Sequence, residues 1–256
     1  MIDSHLHLDA MPAPLEQIRR AALAGVTGAV AVSGDDASWR ATRRLARNIA
    51  QAVPGWRWWH AYGLHPERER HDPEALDRLA AAIGQGQVDV LGEIGQPYYH
   101  AVDQAGRDYH AALSARQLQI AQDRGLPVIV HAVHTAVRPM LESLARFRLA
   151  AVVFHWLKAS PEDVREIVRL GYYVGITPEV TWRARDQELL AHLRVDRILL
   201  ETDAPWPHGP HPAPASSPRD LRALATWLDR VHPLPDRGWA TQTTTNLGRF
   251  LGRTLP

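Results

Sequence analysis

Five short apolar runs in this chain each lead to an imidazole or a carboxylate, and that repeated pattern constrains the fold more than any other feature of it. The first run enters Asp3-Ser4-His5-Leu6-His7. Val90-Leu91-Gly92 ends on Glu93, Val128-Ile129-Val130 on His131, Val152-Val153-Phe154 on His155, and Ile198-Leu199-Leu200-Glu201-Thr202 leads to Asp203. Runs of this kind alternate with longer segments of helical period. The expected strands are 1–5, 28–33, 58–63, 88–93, 128–131, 151–155, 172–176 and 197–201. Helices are expected over 15–24, 37–52, 73–83, 108–124, 136–145, 161–170 and 186–193, with two more, 218–231 and 236–250, after the last strand. Gly25, Gly125 and Gly171 each follow a helical run and precede a strand, as helix-stopping glycines do. Ser160-Pro161-Glu162-Asp163 carries a cap, a first-turn proline and first-turn acids.

Strand–helix alternation repeated about eight times predicts a parallel sheet closed into a (β/α)₈ barrel, a TIM barrel. One domain spanning 1–256 is expected rather than an open doubly wound sheet, and no glycine-rich phosphate fingerprint follows the first strand. In such a barrel the carboxyl ends of the strands converge on one face, where the sites of this fold lie. His5, His7, Glu93, His131, His155 and Asp203 would therefore meet. His5 and His7 stand two apart on a strand, so both imidazoles point the same way. Buried without partners these groups would be costly, and a shared metal removes that cost.

The chain has no cysteine, which excludes disulfides, thiolate metal sites and cysteine nucleophiles together. Four imidazoles and two carboxylates suit Zn²⁺, Mn²⁺, Fe²⁺, Co²⁺ or Ni²⁺, and fit Mg²⁺ alone poorly. Six donors exceed what one four-coordinate zinc uses, so two ions sharing a bridging carboxylate, about 3.5–4 Å apart, are the economical arrangement. A net charge of +1 argues against a protein that coats nucleic acid; any such contact would be local, at a cleft. Met1 leads straight into an apolar strand without a signal-peptide pattern, and no run of about 18 apolar residues exists. No membrane span, a cytoplasmic compartment and a monomer are the expectations.

These same residues carry a family resemblance. The chain resembles a TatD-type metal-dependent hydrolase of the amidohydrolase superfamily. The matching pieces are Ile2-Asp3-Ser4-His5-Leu6-His7-Leu8-Asp9, Tyr62-Gly63-Leu64-His65-Pro66, Leu91-Gly92-Glu93-Ile94-Gly95, Pro127-Val128-Ile129-Val130-His131-Ala132, Val153-Phe154-His155 and Ile198-Leu199-Leu200-Glu201-Thr202-Asp203-Ala204-Pro205-Trp206. Asn246-Leu247-Gly248-Arg249-Phe250 is similar to the family's closing helix. The resemblance implies that His5, His7 and Asp203 hold one ion, that His131 and His155 hold a second, and that Glu93 bridges them. Asp203 would also take the proton from the attacking water. His65 matches a family position near the substrate. Glu201 would orient a ligand, or else pair with an arginine.

The chain also departs from the family pattern. Gln96-Pro97 replaces the usual Leu-Asp after Gly-Glu-x-Gly, and Val133, followed by His134, replaces an arginine two residues after the fifth-strand histidine. The segment 206–218 lacks the usual Arg-Asn pair. Arginine suits forked phosphate contacts, so these losses bear on phosphodiester substrates. His134, His208 and His211 are candidates to contact phosphate instead, and Trp206 or Trp156 to stack on a base. The resemblance implies a nuclease acting on single-stranded DNA ends through water activated by two ions. The alternatives are an esterase, lactonase, amidase or aminoacyl-tRNA deacylase on the same centre, or a silent binding module, which would have no need of six donors.

Overall fold

A computed structural model describes residues 1–210 and 213–255. The parallel strands β1 (Ile2–Leu6), β2 (Gly28–Ser33), β3 (Arg57–Tyr62), β4 (Val90–Gly95), β5 (Val128–His131), β6 (Val152–Phe154), β7 (Tyr173–Ile176) and β8 (Ile198–Leu200) lie side by side in chain order. Between them run α1 (Pro14–Leu23), α2 (Asp36–Ala52), α3 (Ala75–Gly84), α4 (Gln104–Arg124), α5 (Val137–Leu144), α6 (Pro161–Arg169) and α7 (Ala184–His192). Two further helices, α8 (Asp220–Val231) and α9 (Trp239–Phe250), follow the last strand. This is the (β/α)₈ barrel. Among the described residues, no helix is long and apolar enough to cross a membrane.

Two apolar layers hold it together. One lies between strands and helices. The other fills the barrel itself, where Ile2, Val30, Val90, Ile129, Val153 and Leu199 meet. Leu247 and Phe250 of α9 and Leu251 after it pack against that inner layer. The end of the barrel away from α9 is left to polar side chains.

The β1–β8 seam is closed by side chains more than by a ladder. A single parallel bridge, Leu6 with Ala204, joins the two beyond the end of β8. It is backed by the Asp203 N–H to the His5 carbonyl at 2.9 Å and the His7 N–H to the Ala204 carbonyl at 2.8 Å. Ser4 Oγ donates to the Leu200 carbonyl at 3.0 Å. Buried Asp3 accepts from the Thr202 hydroxyl at 2.6 Å and the Thr202 N–H at 3.0 Å. Burial pushes the Asp3 carboxyl up to about 8, against the pull of those hydrogen bonds. The first and last strands thus meet through one bridge and a set of side-chain ties.

Element ends also moved. The α4 helix begins four residues before the expected 108, because the Asp103 side chain caps it by accepting from the Gly106 N–H at 2.7 Å. Gly106 lies in the first turn, where its N–H is the one the cap needs. The β4 strand runs on to Gly95, which pairs with His131. The Ser160 cap is present, accepting from the Asp163 N–H at 3.2 Å. Gly25, Gly125 and Gly171 have φ of 86°, 62° and 71°, the left-handed conformation of a helix-stopping position.

Candidate metal centre

Plain alternation along β1 would put Ile2 and His5 on opposite faces, but both point into the barrel. An extra residue in β1 between Asp3 and Leu6, set against β2, resets the alternation. His5 and His7 then face inward, while Leu6 and Leu8 join the outer layer. The same device acts in β4, where the register shifts between Leu91 and Ile94. Val90 and Glu93 thereby both point in. Bulges of this kind re-aim side chains, and they recur next to sites. Gly92 makes the second one possible: a Cβ there would come within 2.7 Å of the Ile129 carbonyl.

The result is a cluster around Glu93, which is 1% exposed. Its Oε2 lies 3.3 Å from His5 Nε2 and 3.7 Å from His7 Nε2. Asp203 Oδ1 lies 3.5 Å and 3.4 Å from the same two nitrogens, and the nitrogens are 3.3 Å from each other. The other oxygen, Oε1, lies 2.7 Å from His131 Nδ1, 2.8 Å from His155 Nε2 and 3.3 Å from His65 Nε2. Each oxygen of one carboxylate therefore faces a separate group of imidazoles. Asp203 itself sits at φ 49°, in the left-handed region that Asp tolerates better than most side chains.

This donor set fits divalent ions. Glu93 Oε2 and Asp203 Oδ1 are buried without a hydrogen-bond partner, a state that costs free energy unless something else takes their lone pairs. Three groups converge closely enough to share an ion: His5, His7 and Glu93; His65, Glu93 and His131; and His5, His155 and Glu201. Burial opposes charge on both carboxylates, yet the surrounding imidazoles hold Glu93 well below, and Asp203 below, the ordinary carboxylate range. Reciprocally, and also against burial, Glu93 raises His155 well above the usual imidazole value.

Two carboxylates missed in the sequence stand behind the imidazoles or orient them. Glu67 accepts from the Tyr98 and Tyr99 N–H groups at 2.6 and 3.1 Å, from His100 Nδ1 at 2.8 Å and from His131 Nε2 at 3.2 Å. Burial opposes its charge, but those hydrogen bonds hold it at about 2. Glu67 can keep a proton on one nitrogen of His131, which leaves the other free as a donor. Asp3, at the seam, ties the turn that carries Asp203 to β1. The signal for Glu67 was its place two residues after His65 in the Leu-His-Pro turn. Glu201, by contrast, was foreseen with two possible partners. It lies 3.6 Å from His155 Nδ1 and accepts the Trp156 N–H at 2.7 Å; among the described residues it pairs with no arginine.

His65 Nδ1 accepts the Glu67 N–H at 3.1 Å. In the neutral ring the proton is then on Nε2, which points at Glu93. In that tautomer His65 presents a hydrogen-bond donor to Glu93, and in the other it presents the free nitrogen of the His65–Glu93–His131 group. His65 and Trp206 line the cavity over the cluster; Trp206 stands at its rim, 58% exposed. His134 is exposed, lies tilted against Tyr98 with ring centroids 4.9 Å apart, and does not line that cavity; Val133 does. His208 Nε2 is bound to the Thr202 carbonyl at 2.7 Å, and His211 lies outside the described residues.

Comparison with known proteins decides the family. A family model described as TatD related DNase matches residues 2–252. The chain belongs to the TatD family. It is 30% identical over 255 residues to a Haemophilus influenzae protein named as an uncharacterized metal-dependent hydrolase, covering 98% of each chain. A 3'-5' ssDNA/RNA exonuclease TatD of Pectobacterium carotovorum is 31% identical over 249 residues, covering 91% of each. The crystal structure of YjjV, a TatD homolog from Escherichia coli K12, superposes with a TM-score of 0.83 at 26% identity, covering 100% of this chain and 98% of that one. As a TatD family member the chain is a metal-dependent hydrolase by descent, and its buried imidazole–carboxylate cluster is chemically suited to that.

Proposed function

We propose that this TatD protein is a two-ion exonuclease that hydrolyses phosphodiester bonds at the ends of single strands. His5, His7 and Asp203 would hold one ion, His131 and His155 the other, with Glu93 shared. The ions, when bound, supply an acidified water and neutralise charge on the phosphate. The chain's own groups do the rest. Asp203 would also take the proton from the attacking water, a role supported by its Oδ1 having no hydrogen-bond partner within the protein. His65 offers Nε2–H from the cavity wall, and Trp206 offers an exposed indole face at the rim for a base to stack on. The single observation that carries the reading is the split of Glu93 between two imidazole groups at the floor of an open cavity of about 540 Å³. A single strand can reach into such a recess, whereas a duplex must first unpair.

A second reading keeps the centre and changes the bond to a carboxylic ester, including that of a mis-charged aminoacyl-tRNA. Buried Val133, standing where relatives place an arginine, favours it. The test is hydrolysis of end-labelled single-stranded DNA and RNA beside a simple aryl carboxylate ester, with Mn²⁺ or Zn²⁺ and with chelator. The nuclease reading expects chelator-sensitive release of mononucleotides, slow on duplex. Asp203→Asn should lower that rate by about two to four orders of magnitude with the melting temperature kept. Robust ester hydrolysis without nucleotide release would favour the second reading, and a near-wild-type rate in Asp203→Asn would remove the base.

A further inference from the structure

Lys158 is the only lysine among the chain's 29 basic side chains; all the others are arginine. It lies three residues past His155, on the loop between β6 and α6, and its side chain lines the same cavity as His7, Glu93, His131 and Asp203. The ammonium donates to the Tyr99 hydroxyl at 3.0 Å. It also stands over the Trp156 ring, 3.9 Å from the centroid, with the Tyr99 ring 5.7 Å away. The loop is held from both sides, by the His134 N–H on the Lys158 carbonyl and by Trp156 Nε1–H on Glu179 at 3.0 Å.

What this ammonium lacks is a carboxylate at contact distance. Among the described residues it makes no ion pair, although Glu179 and Asp203 line the same cavity. It is half-buried, and burial holds its pKa below the usual lysine value. A cation in such a place has given up water and received in exchange two aromatic faces and a phenol, which hold charge only weakly. The nearby arginines do not share its situation: Arg183 and Arg185 are both tied to Glu179. A compact ammonium in an aromatic cradle can also turn to a new acceptor more easily than a planar guanidinium could.

We propose that Lys158 is the seat for an anionic group of the substrate beside the bond that is cut: a phosphate one step along a single strand. The assignment rests on the nuclease reading of the same cavity. It supplies from the β6–α6 loop a phosphate contact of the kind that the arginines absent at Val133 and after Pro205 would have made elsewhere on the rim. A substrate with one phosphodiester and nothing charged next to it would leave Lys158 idle.

The test is calorimetric binding of hydrolysis-resistant phosphorothioate thymidine dinucleotides, with or without a terminal phosphate at either end, to the protein as purified. One terminal phosphate should tighten binding to the wild type by about tenfold, the weight of a charge-assisted hydrogen bond. In Lys158→Met the preference should fall below about twofold, and in Lys158→Arg it should return. Lys158→Met should melt no lower than the wild type, because it removes an unpaired, half-buried charge. A terminal-phosphate preference that survives Lys158→Met, or that is absent from the wild type, overturns the assignment. Hydrolysis of bis(p-nitrophenyl) phosphate, which has no second phosphate, separates the two readings. If both proteins cleave it equally while the preference ignores Lys158, only the seat is wrong. If neither cleaves it while the preference follows Lys158, the seat stands and the phosphodiesterase reading falls.

Discussion

His60 lies on the same barrel as the histidines of the centre and behaves in the opposite way. It is buried, its Nδ1 has no hydrogen-bond partner, and its ring meets the Trp39 indole edge-on at 5.9 Å. Burial, helped by Arg43, pushes its pKa down to about 4, where Glu93 instead raises His155. The unfolded chain, with an ordinary histidine, takes up its proton first as the pH falls. Stability from this site is therefore present above about pH 6.5 and is lost between there and about pH 4, by roughly 3 kcal/mol in all. Urea unfolding at pH 7 and pH 4.5 should show that His60→Leu loses clearly less stability on acidification than the wild type. Equal losses in both proteins would mean the ring is not buried neutral. At this scale the sequence was most informative about ionisable groups that end strands. For Glu67 it offered only the position two residues after His65, and for Lys158 nothing, because a loop acid and a loop lysine look the same whether they face solvent or a cavity.

Among the elements, the strand termini were legible and the bulges were not. Periodicity places apolar residues but does not register an extra residue in β1 or β4, so the inward turn of His5 and Glu93 depends on pairing with β2 and β5. The start of α4 was hidden for a related reason: its first turn is held by a cap, not by apolar residues. The β7 strand contributes by having no side chain where one would be expected. Gly175 pairs with Leu199, and a Cβ there would fall on the Glu201 carboxylate that faces His155. Gly175→Ala should therefore cost about 1–3 kcal/mol by overpacking, a drop of several degrees in melting temperature. It should also weaken metal retention by moving Glu201. A variant that melts and retains metal as the wild type does would show that Glu201 is not held by this packing.

For the whole molecule, the strand count and the placement of ionisable groups at carboxyl ends were enough to anticipate the barrel and which end carries the site. The side-chain ties of its closure were not legible, because Asp3, Ser4 and Thr202 join β1 to the end of β8 through polar groups that no hydrophobic pattern encodes. The apolar plug from α9 fills one end, and the other is open above two buried carboxylates, each with one oxygen, Glu93 Oε2 and Asp203 Oδ1, that lacks a hydrogen bond. The account stands on those carboxylates and imidazoles holding two ions that the reaction needs. The most direct measurement is a metal count and a hydrolysis rate taken on one sample: chelated protein titrated with Mn²⁺ or Zn²⁺ while single-stranded DNA is cleaved. The account predicts no cleavage without metal and a full rate only as the second ion per chain is bound, with His131→Ala limited to one ion and a small residual rate. Cleavage that persists in chelator, or a full rate with a single bound ion, would contradict it.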